Sequence, residues 1–442
     1  MKIALLVSLV TLISTSGYSG PREYEFLHLE QTQNIKGIYR SGVFDSQLPP
    51  EFRSDNQVKF RLPYFLIPVE SPELRQINAG GPLPAALVNF QFVTQGGVRY
   101  FKHIVHPAVL SHYLEKLESK FRLVSGEESE FLAAPTASDR TLVVLDPPGA
   151  NYMVKLSLPL EINHRNRTLY PTEIRRGVWL TEVFGDIFVR NPSLSNSFFI
   201  FTEPYGAYLK VDNDVFAGVI YREFSQEVYE KGKKVVPLFS LLSIDKETGK
   251  PVFFKYMTPG ETPWGFFSRN ILSPLLEILN VVTYKEGISL EWHSQNLVAE
   301  IDTVNNRLTR RYGYRDLGST HLDFYSIRNQ QKLIPRFEMI GDAERELGGA
   351  YSKRTEREWL YFFLKEQVFD LFFIQMAAHG IITRDERENF KKKAWVSVVQ
   401  NHLKNYKGGQ AKIDQREPFA DVFAEVLARQ VVGKIACAML LN

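Results

Sequence analysis

The sequence predicts an α+β protein with a β-rich middle and a helical C-terminal part. Three observations carry this expectation. Aromatic and β-branched runs at 197–202, 215–221 and 251–256 read as strands. Near the C-terminus, Thr355 with Glu358 and Thr383 with Glu386 show capping-box spacing, each ahead of a helix-forming run. The composition, 44% hydrophobic and 23% charged, is that of an ordinary globular protein able to bury a sizeable core.

A chain of 442 residues favours more than one domain, or one large multi-lobed unit. A net charge of +3 is small for this length. It gives no general argument for nucleic acid or an anionic membrane, and leaves a local basic pocket open. The single cysteine, Cys437, excludes an internal disulfide and a thiolate metal cluster, and reads as a small buried hydrophobe.

Taken in order, Lys2, an apolar run to Ile13 and small or polar residues through Gly20 predict a cleaved signal peptide. The apolar run is too short to span a bilayer of about 30 Å. A cleaved leader implies a periplasmic or secreted chain, and an uncleaved one a cytoplasmic chain. Residues 21–85 read as loops and short strands, closed by Gly80-Gly81-Pro82. A strand is expected at 87–93, a turn at 95–97, and a helix within 108–121 from the spacing of Leu110, Tyr113, Leu114, Leu117 and Phe121. The break at 262–265 marks a loose boundary. Helices are expected at 359–379, after Thr383, and from 418 toward 441, with Lys391 to Lys393 on a solvated face. The resulting division is 1–20, 21–85, 86–260 and 261–442.

Five polar clusters stand out. In His103-Ile-Val-His106-Pro107 the two histidines are spaced to share a ligand. No Cys and no third ligand at zinc-site spacing accompany them, which argues against a metal. Ser138-Asp139-Arg140-Thr141 puts two hydroxyls and a guanidinium at a strand edge, a set that suits phosphate or carboxylate oxygens. The apolar-alternating strand from Lys155 runs toward Arg165 and Arg167, with Lys155 on the same side as Ser157 if regular. Glu291-Trp292-His293-Ser294-Gln295-Asn296 crowds an acid, an imidazole and two amides together. If extended, it places Glu291, His293 and Gln295 on one face. Glu and Asn oxygens suit Mg2+. Tyr314-Arg315-Asp316-Leu317-Gly318 reads either as a plain turn or as the completion of a magnesium site through Asp316.

In this order the clusters resemble the NRPS-independent siderophore (NIS) synthetases of the aerobactin-synthetase type. That family shows His-Pro-x-His-Pro, Ser-x-Arg-Thr, a Lys–Arg strand, Glu-Ala-His-x-Gln-Asn and Arg-Asp. Lys155 and Arg167 are twelve residues apart, the family's spacing, and the segment from Gly218 to Glu223 is similar to a family segment. The resemblance implies a cupped-hand fold of thumb, fingers and palm. It implies a bacterial ligase in siderophore biosynthesis, and so in iron acquisition. ATP would activate a citrate-like carboxylate as an acyl adenylate, and an amine, hydroxylamine or alcohol would then attack it.

Carried over residue by residue, Ser138, Arg140 and Thr141 would hold the ATP phosphates and the carboxylate. Lys155 would reach the α-phosphate, Arg167 the nucleotide or the carboxylate, and Gln295 would serve the nucleotide side. His106 and His293 would position the carboxylate and adenylate. Glu291, Asn296 and Asp316 would lie in or near the Mg2+ shell. The resemblance also implies a homodimer.

The pattern has departures. Ile104 replaces the first Pro of the histidine motif, and Leu110 and His112 stand where the family usually carries Lys and Arg. The family's His-Pro-Trp-Gln element is absent between His106 and Ser138. Trp292 replaces a small residue, and the chain is shorter than a typical member. A leader also sits awkwardly with ATP chemistry. The alternative is therefore an exported, non-catalytic binding protein for a citrate-like or ferric-siderophore ligand. A third reading is an interaction protein with relic motifs.

Overall fold

The computed structural model describes residues 22–34, 46–147, 152–162, 165–211, 214–322 and 364–405. The expected leader, the capping pair Thr355 and Glu358, the final helix from 418 and Cys437 lie outside the described residues.

A seven-stranded antiparallel sheet forms the centre. Its spatial order is Phe60–Arg61, Leu132–Pro135, Thr141–Asp146, Tyr152–Leu156, Asp214–Glu223, Tyr205–Val211 and Leu74–Asn78. One apolar core joins it to a four-stranded sheet of Phe92–Gln95, Val98–Ile104, Tyr64–Pro68 and Arg122–Val124. A second four-stranded sheet orders Phe198–Ile200, Arg307–Tyr314, Leu297–Asp302 and Lys233–Pro237. The C-terminal helices pack on it around Phe267, Trp292, Phe369 and Trp395. This is the mixed α+β architecture that the sequence predicts.

The helix Pro171–Arg190 crosses the central sheet and was not marked by the sequence reading. Pro171 opens it, and Glu173 accepts from the Tyr170 N–H at 3.2 Å. Ile174, Val178, Leu180, Val183, Phe184 and Ile187 form its buried stripe. It can approach the sheet closely because position 206 is glycine: a Cβ there would meet Ile174 at 2.4 Å.

Three local expectations are corrected. Residues 87–93 are not one strand: Ala85–Gln91 is a helix, and the strand Phe92–Gln95 follows. Pro84 precedes the first turn, and Leu87, Phe90 and Gln91 share a buried face, so the three-to-four-residue period wins over alternation. Residues 251–256 are not a strand: Val252–Tyr256 is a 3-10 turn after Pro251, which lacks the N–H a ladder needs. Its Phe253 packs on Phe266 and Phe372. Residues 21–85, read as loops and short strands, begin with the helix Arg22–Thr32.

The Thr383 and Glu386 box forms as predicted. The Thr383 N–H donates to the Glu386 carboxylate at 2.8 Å, the Glu386 N–H donates to Thr383 Oγ1 at 3.2 Å, and the helix Arg384–Asn405 follows. At the 262–265 break, Thr262 Oγ1 accepts from the Gly265 N–H and caps Pro263–Phe267. Among the described residues, no helix is long and apolar enough to cross a membrane.

Candidate active site

Strand pairing brings the clusters together. Thr141 stands opposite Lys155, and the Leu156 N–H donates to the Arg140 carbonyl at 3.0 Å. Arg167 stands opposite Leu158 in a short hairpin, and its carbonyl accepts from Arg140 Nη1 at 3.1 Å. The 291–296 segment leads into Leu297, which pairs with Tyr314, so Arg315 and Asp316 emerge beside it. Arg315 fixes that proximity: its N–H donates to the Asn296 carbonyl and its Nε to the Gln295 carbonyl, both at 2.9 Å.

The centre is an ion-pair cluster around Asp316, whose backbone is left-handed at φ +80°. Lys155 Nζ and Arg222 Nη2 both contact its Oδ1, the latter at 2.9 Å. Arg222 also grips Glu203 Oε1 through Nε at 3.0 Å and Nη2 at 2.6 Å. Lys155, Arg222 and Glu203 are buried, while the Asp316 side chain keeps 20% of its surface exposed. Buried charges persist only when paired, and these are. Burial raises the Asp316 pKa, but Lys155, Arg222 and Arg140 outweigh it and hold the carboxyl well below the usual carboxylate range. The same logic runs in reverse at Arg222, where Glu203 and Asp316 outweigh burial and raise its pKa.

The Ser138–Thr141 turn forms one wall. Asp139 takes φ +62° and accepts the Ser54 N–H at 2.9 Å. Ser138 Oγ accepts the Thr141 N–H at 3.1 Å. Arg140 Nη2 lies 3.9 Å from Glu173, and Arg167 Nη2 donates to the Ile162 carbonyl at 3.2 Å.

The 291–296 segment is extended only at its start. The Asn296 N–H donates back to the His293 carbonyl at 2.8 Å, so its last residues form a turn and the condition of a fully extended segment is not met. Burial still alternates: Trp292, Ser294 and Asn296 are inside, while Glu291, His293 and Gln295 are half-buried. Trp292 anchors the turn in the helical core. His293 Nδ1 accepts the Gln295 N–H at 3.0 Å. Asn296 Nδ2 donates to Glu291 Oε2 at 3.1 Å, which sets two oxygen-bearing side chains next to each other. Among the described residues, no group of three His, Cys, Asp or Glu side chains converges as a metal centre.

The histidines lie deeper than the other clusters. His106 is fully buried edge-on to Phe52 and Phe60, against the Asp139 backbone, and its Nδ1 accepts the Ala108 N–H at 3.2 Å. His103 is buried beside Phe101 with neither ring nitrogen hydrogen-bonded. Burial depresses both to about 3. An unfolded histidine titrates near 6.5, so the unfolded chain takes up protons first, and stability falls as pH drops from about 6.5 toward 3. The expected slope is about 1.4 kcal/mol per pH unit for each histidine. His103→Leu is expected to flatten the urea midpoint between about pH 6.5 and 5 relative to wild type, and an unchanged slope contradicts a neutral buried His103.

Arg222, Glu203 and Glu30 escaped the site reading. Arg222 had a usable signal, a charge inside an otherwise apolar alternating strand. Glu203 and Glu30 show no local pattern.

Residues 90–243 match the IucA / IucC family. That segment holds His106, Ser138, Arg140, Thr141, Lys155, Arg167 and Arg222, whereas the 291–296 turn and Asp316 lie beyond it. No curated protein matches the chain in sequence. The fold is similar to that of ATP-bound aerobactin synthetase IucA from a hypervirulent pathotype of Klebsiella pneumoniae. The TM-score is 0.65 at 15% identity, over 85% of this chain and 69% of that one. It is also similar to the petrobactin biosynthesis protein AsbB from Bacillus anthracis, with TM-score 0.61 and 16% identity over 92% of this chain and 71% of that one. Aerobactin synthetase IucC from the same Klebsiella pathotype gives 0.58 and 16%, over 80% and 65%. At these identities the structural likeness is one of fold.

Proposed function

We propose that this NIS-synthetase-like chain, related to that group by its family segment and its fold, condenses a citrate-like carboxylate with an amine, hydroxylamine or alcohol in siderophore biosynthesis, using ATP. The observation that carries the reading is the convergence of Lys155, Arg222 and Arg140 on Asp316 beside the Ser138–Thr141 turn. Such a cluster of cations beside hydroxyls suits the charge that builds on phosphates. Support also comes from the ATP-bound state of the similar aerobactin synthetase.

In this reading a carboxylate oxygen attacks the α-phosphorus, the bond to pyrophosphate breaks, and an acyl adenylate forms. The nucleophile then attacks the acyl carbon, loses a proton and expels AMP. Lys155 serves the α-phosphate. Ser138, Arg140 and Thr141 hold phosphate and carboxylate oxygens. Arg167 and Gln295 serve the nucleotide, and His293 orients the acyl group. His106, fully buried edge-on to Phe52 and Phe60 beside the Asp139 backbone, would bear on the carboxylate only through the turn. Orientation and fixed charge supply most of the acceleration, with no covalent enzyme intermediate.

Mg2+ would be held by the Glu291 carboxylate and by Asn296 with its amide turned over, since here Asn296 Nδ2 faces that carboxylate, and the ion would neutralise the phosphates. Asp316 spends its Oδ1 on Lys155 and Arg222 and so has the further role of holding the cations in place. A homodimer is part of the proposal, and the compartment follows the leader: exported if it is cleaved, cytoplasmic, where ATP is plentiful, if it is not. N-terminal sequencing of the mature chain tests for that cleavage.

The purified chain is to be incubated with ATP, Mg2+, a panel of polycarboxylates and hydroxylamine. Carboxylate-dependent hydroxamate with release of pyrophosphate is expected. Binding of a polycarboxylate with no consumption of ATP would favour the exported binding protein instead.

A further inference from the structure

The helix Arg22–Thr32 lies outside the matched family segment, yet one of its side chains reaches into the walls of the site. Phe26 and Leu27 join a core with Ala134 and Val143, and Leu29 packs in the core that contains Ala137. Gln31 Nε2 donates to the Pro135 carbonyl at 3.1 Å. Between them, Glu30 is fully buried. Its Oε2 accepts the Ala137 N–H at 2.9 Å, and its Oε1 lies 2.7 Å from Arg315 Nη2. The Phe26 ring sits 5.6 Å from the same guanidinium.

Each partner of Glu30 belongs to a different wall. Ala137 directly precedes Ser138. Arg315 directly precedes Asp316 and holds the carbonyls of Gln295 and Asn296. One carboxylate therefore ties the phosphate-type turn to the 291–296 turn and to the Asp316 loop. Arg222 lies close enough to oppose the charge of Arg315, and Glu30 supplies the counter-charge. Packing alone does not call for this pair, because well-fitted apolar residues commonly replace a buried ion pair at no loss of stability. What the pair adds is a fixed distance between two loops.

We propose that Glu30 is a positioning residue: a buried clamp that sets the spacing between the Ser138–Thr141 turn and the Glu291–Asn296 turn, and so between the groups that hold phosphate and acyl ends. The catalytic consequence rests on the proposed function, but the clamp itself does not.

Amide hydrogen exchange on the full chain, read by mass spectrometry, separates the two. Glu30→Gln is expected to speed exchange about tenfold or more in both 134–141 and 291–297, and to leave 205–223 at its wild-type rate. Glu25→Gln, which loses only a partly exposed pair with Lys234, is expected to change neither segment. Where turnover is measurable, Glu30→Gln is expected to lower kcat about tenfold with a smaller change in KM. If the single variant fails to fold because Arg315 is left unpaired, Glu30→Leu with Arg315→Met removes both charges and is expected to show the same two-segment loosening. Loosening confined to 134–141, uniform loosening across the chain, or wild-type exchange in both segments would overturn the clamp. A chain with the expected exchange pattern and no turnover would keep the clamp and reject the synthetase reading.

Discussion

Lys155→Ala is expected to lower ATP-dependent turnover by about 10³-fold, because a preorganised charge aimed at a developing anion commonly contributes that much. Lys155 is 1% exposed in the middle of a strand, and its Nζ meets Asp316. Neither solvent nor a neighbouring surface lysine can take its place there. Arg222 remains on Asp316 in the variant, so the carboxylate stays paired and the loop retains one of its two anchors. The loss therefore falls on chemistry more than on folding. Lys155→Arg is expected to restore little, because a planar fork cannot act as a compact point charge in the same buried space. Pyrophosphate release measured at saturating ATP checks both variants. Wild-type rates in Lys155→Ala would remove Lys155 from the site.

Arg222→Met is expected to destabilise the chain by about 3–5 kcal/mol, the usual cost of breaking a buried ion pair from one side. The stranded group is Glu203, which is 0% exposed and which Arg222 contacts through two nitrogens. Glu203 has little room to move: its Oε2 would lie 2.1 Å from a Cβ at position 177, so only glycine there admits it. The double variant Arg222→Met with Glu203→Leu removes both charges. It is expected to recover most of the lost stability and none of the lost turnover, since Asp316 and Lys155 would still lack their neighbour. Urea unfolding followed alongside pyrophosphate release separates the two effects. A wild-type urea midpoint for the single variant would contradict a stability role for the pair.

The sequence carried the order and chemistry of the five clusters, and the structure brings four of them together through Asp316 and Arg315, with the histidine pair buried apart. Arg140, Lys155 and Asp316 were legible because charged groups interrupt apolar strands or close them. The alternation of Glu291, His293 and Gln295 was legible as burial, although the segment ends in a turn. What was not legible depends on long-range contacts. Glu30 meets Ala137 across 107 residues, and nothing in the local run of the first helix marks it. The helix at Ala85–Gln91 was misread because seven residues fit a two-residue and a 3.6-residue period almost equally well, and tertiary burial chose between them. The roles of His103 and His106 also depended on the fold. A His-x-x-His pattern suggests shared ligation, but burial among Phe52, Phe60 and Phe101 leaves two neutral rings inside the β-rich half.

Activation of a carboxylate on ATP by the cation cluster beside the Ser138–Thr141 turn can be isolated from the later attack by the nucleophile. Carboxylate-dependent exchange of labelled pyrophosphate into ATP, measured with Mg2+ and without any nucleophile, tests it most directly. Exchange is expected to require a polycarboxylate and to fall by about 10³-fold in Lys155→Ala. No exchange across a panel of polycarboxylates, or consumption of ATP to ADP and phosphate, would contradict it.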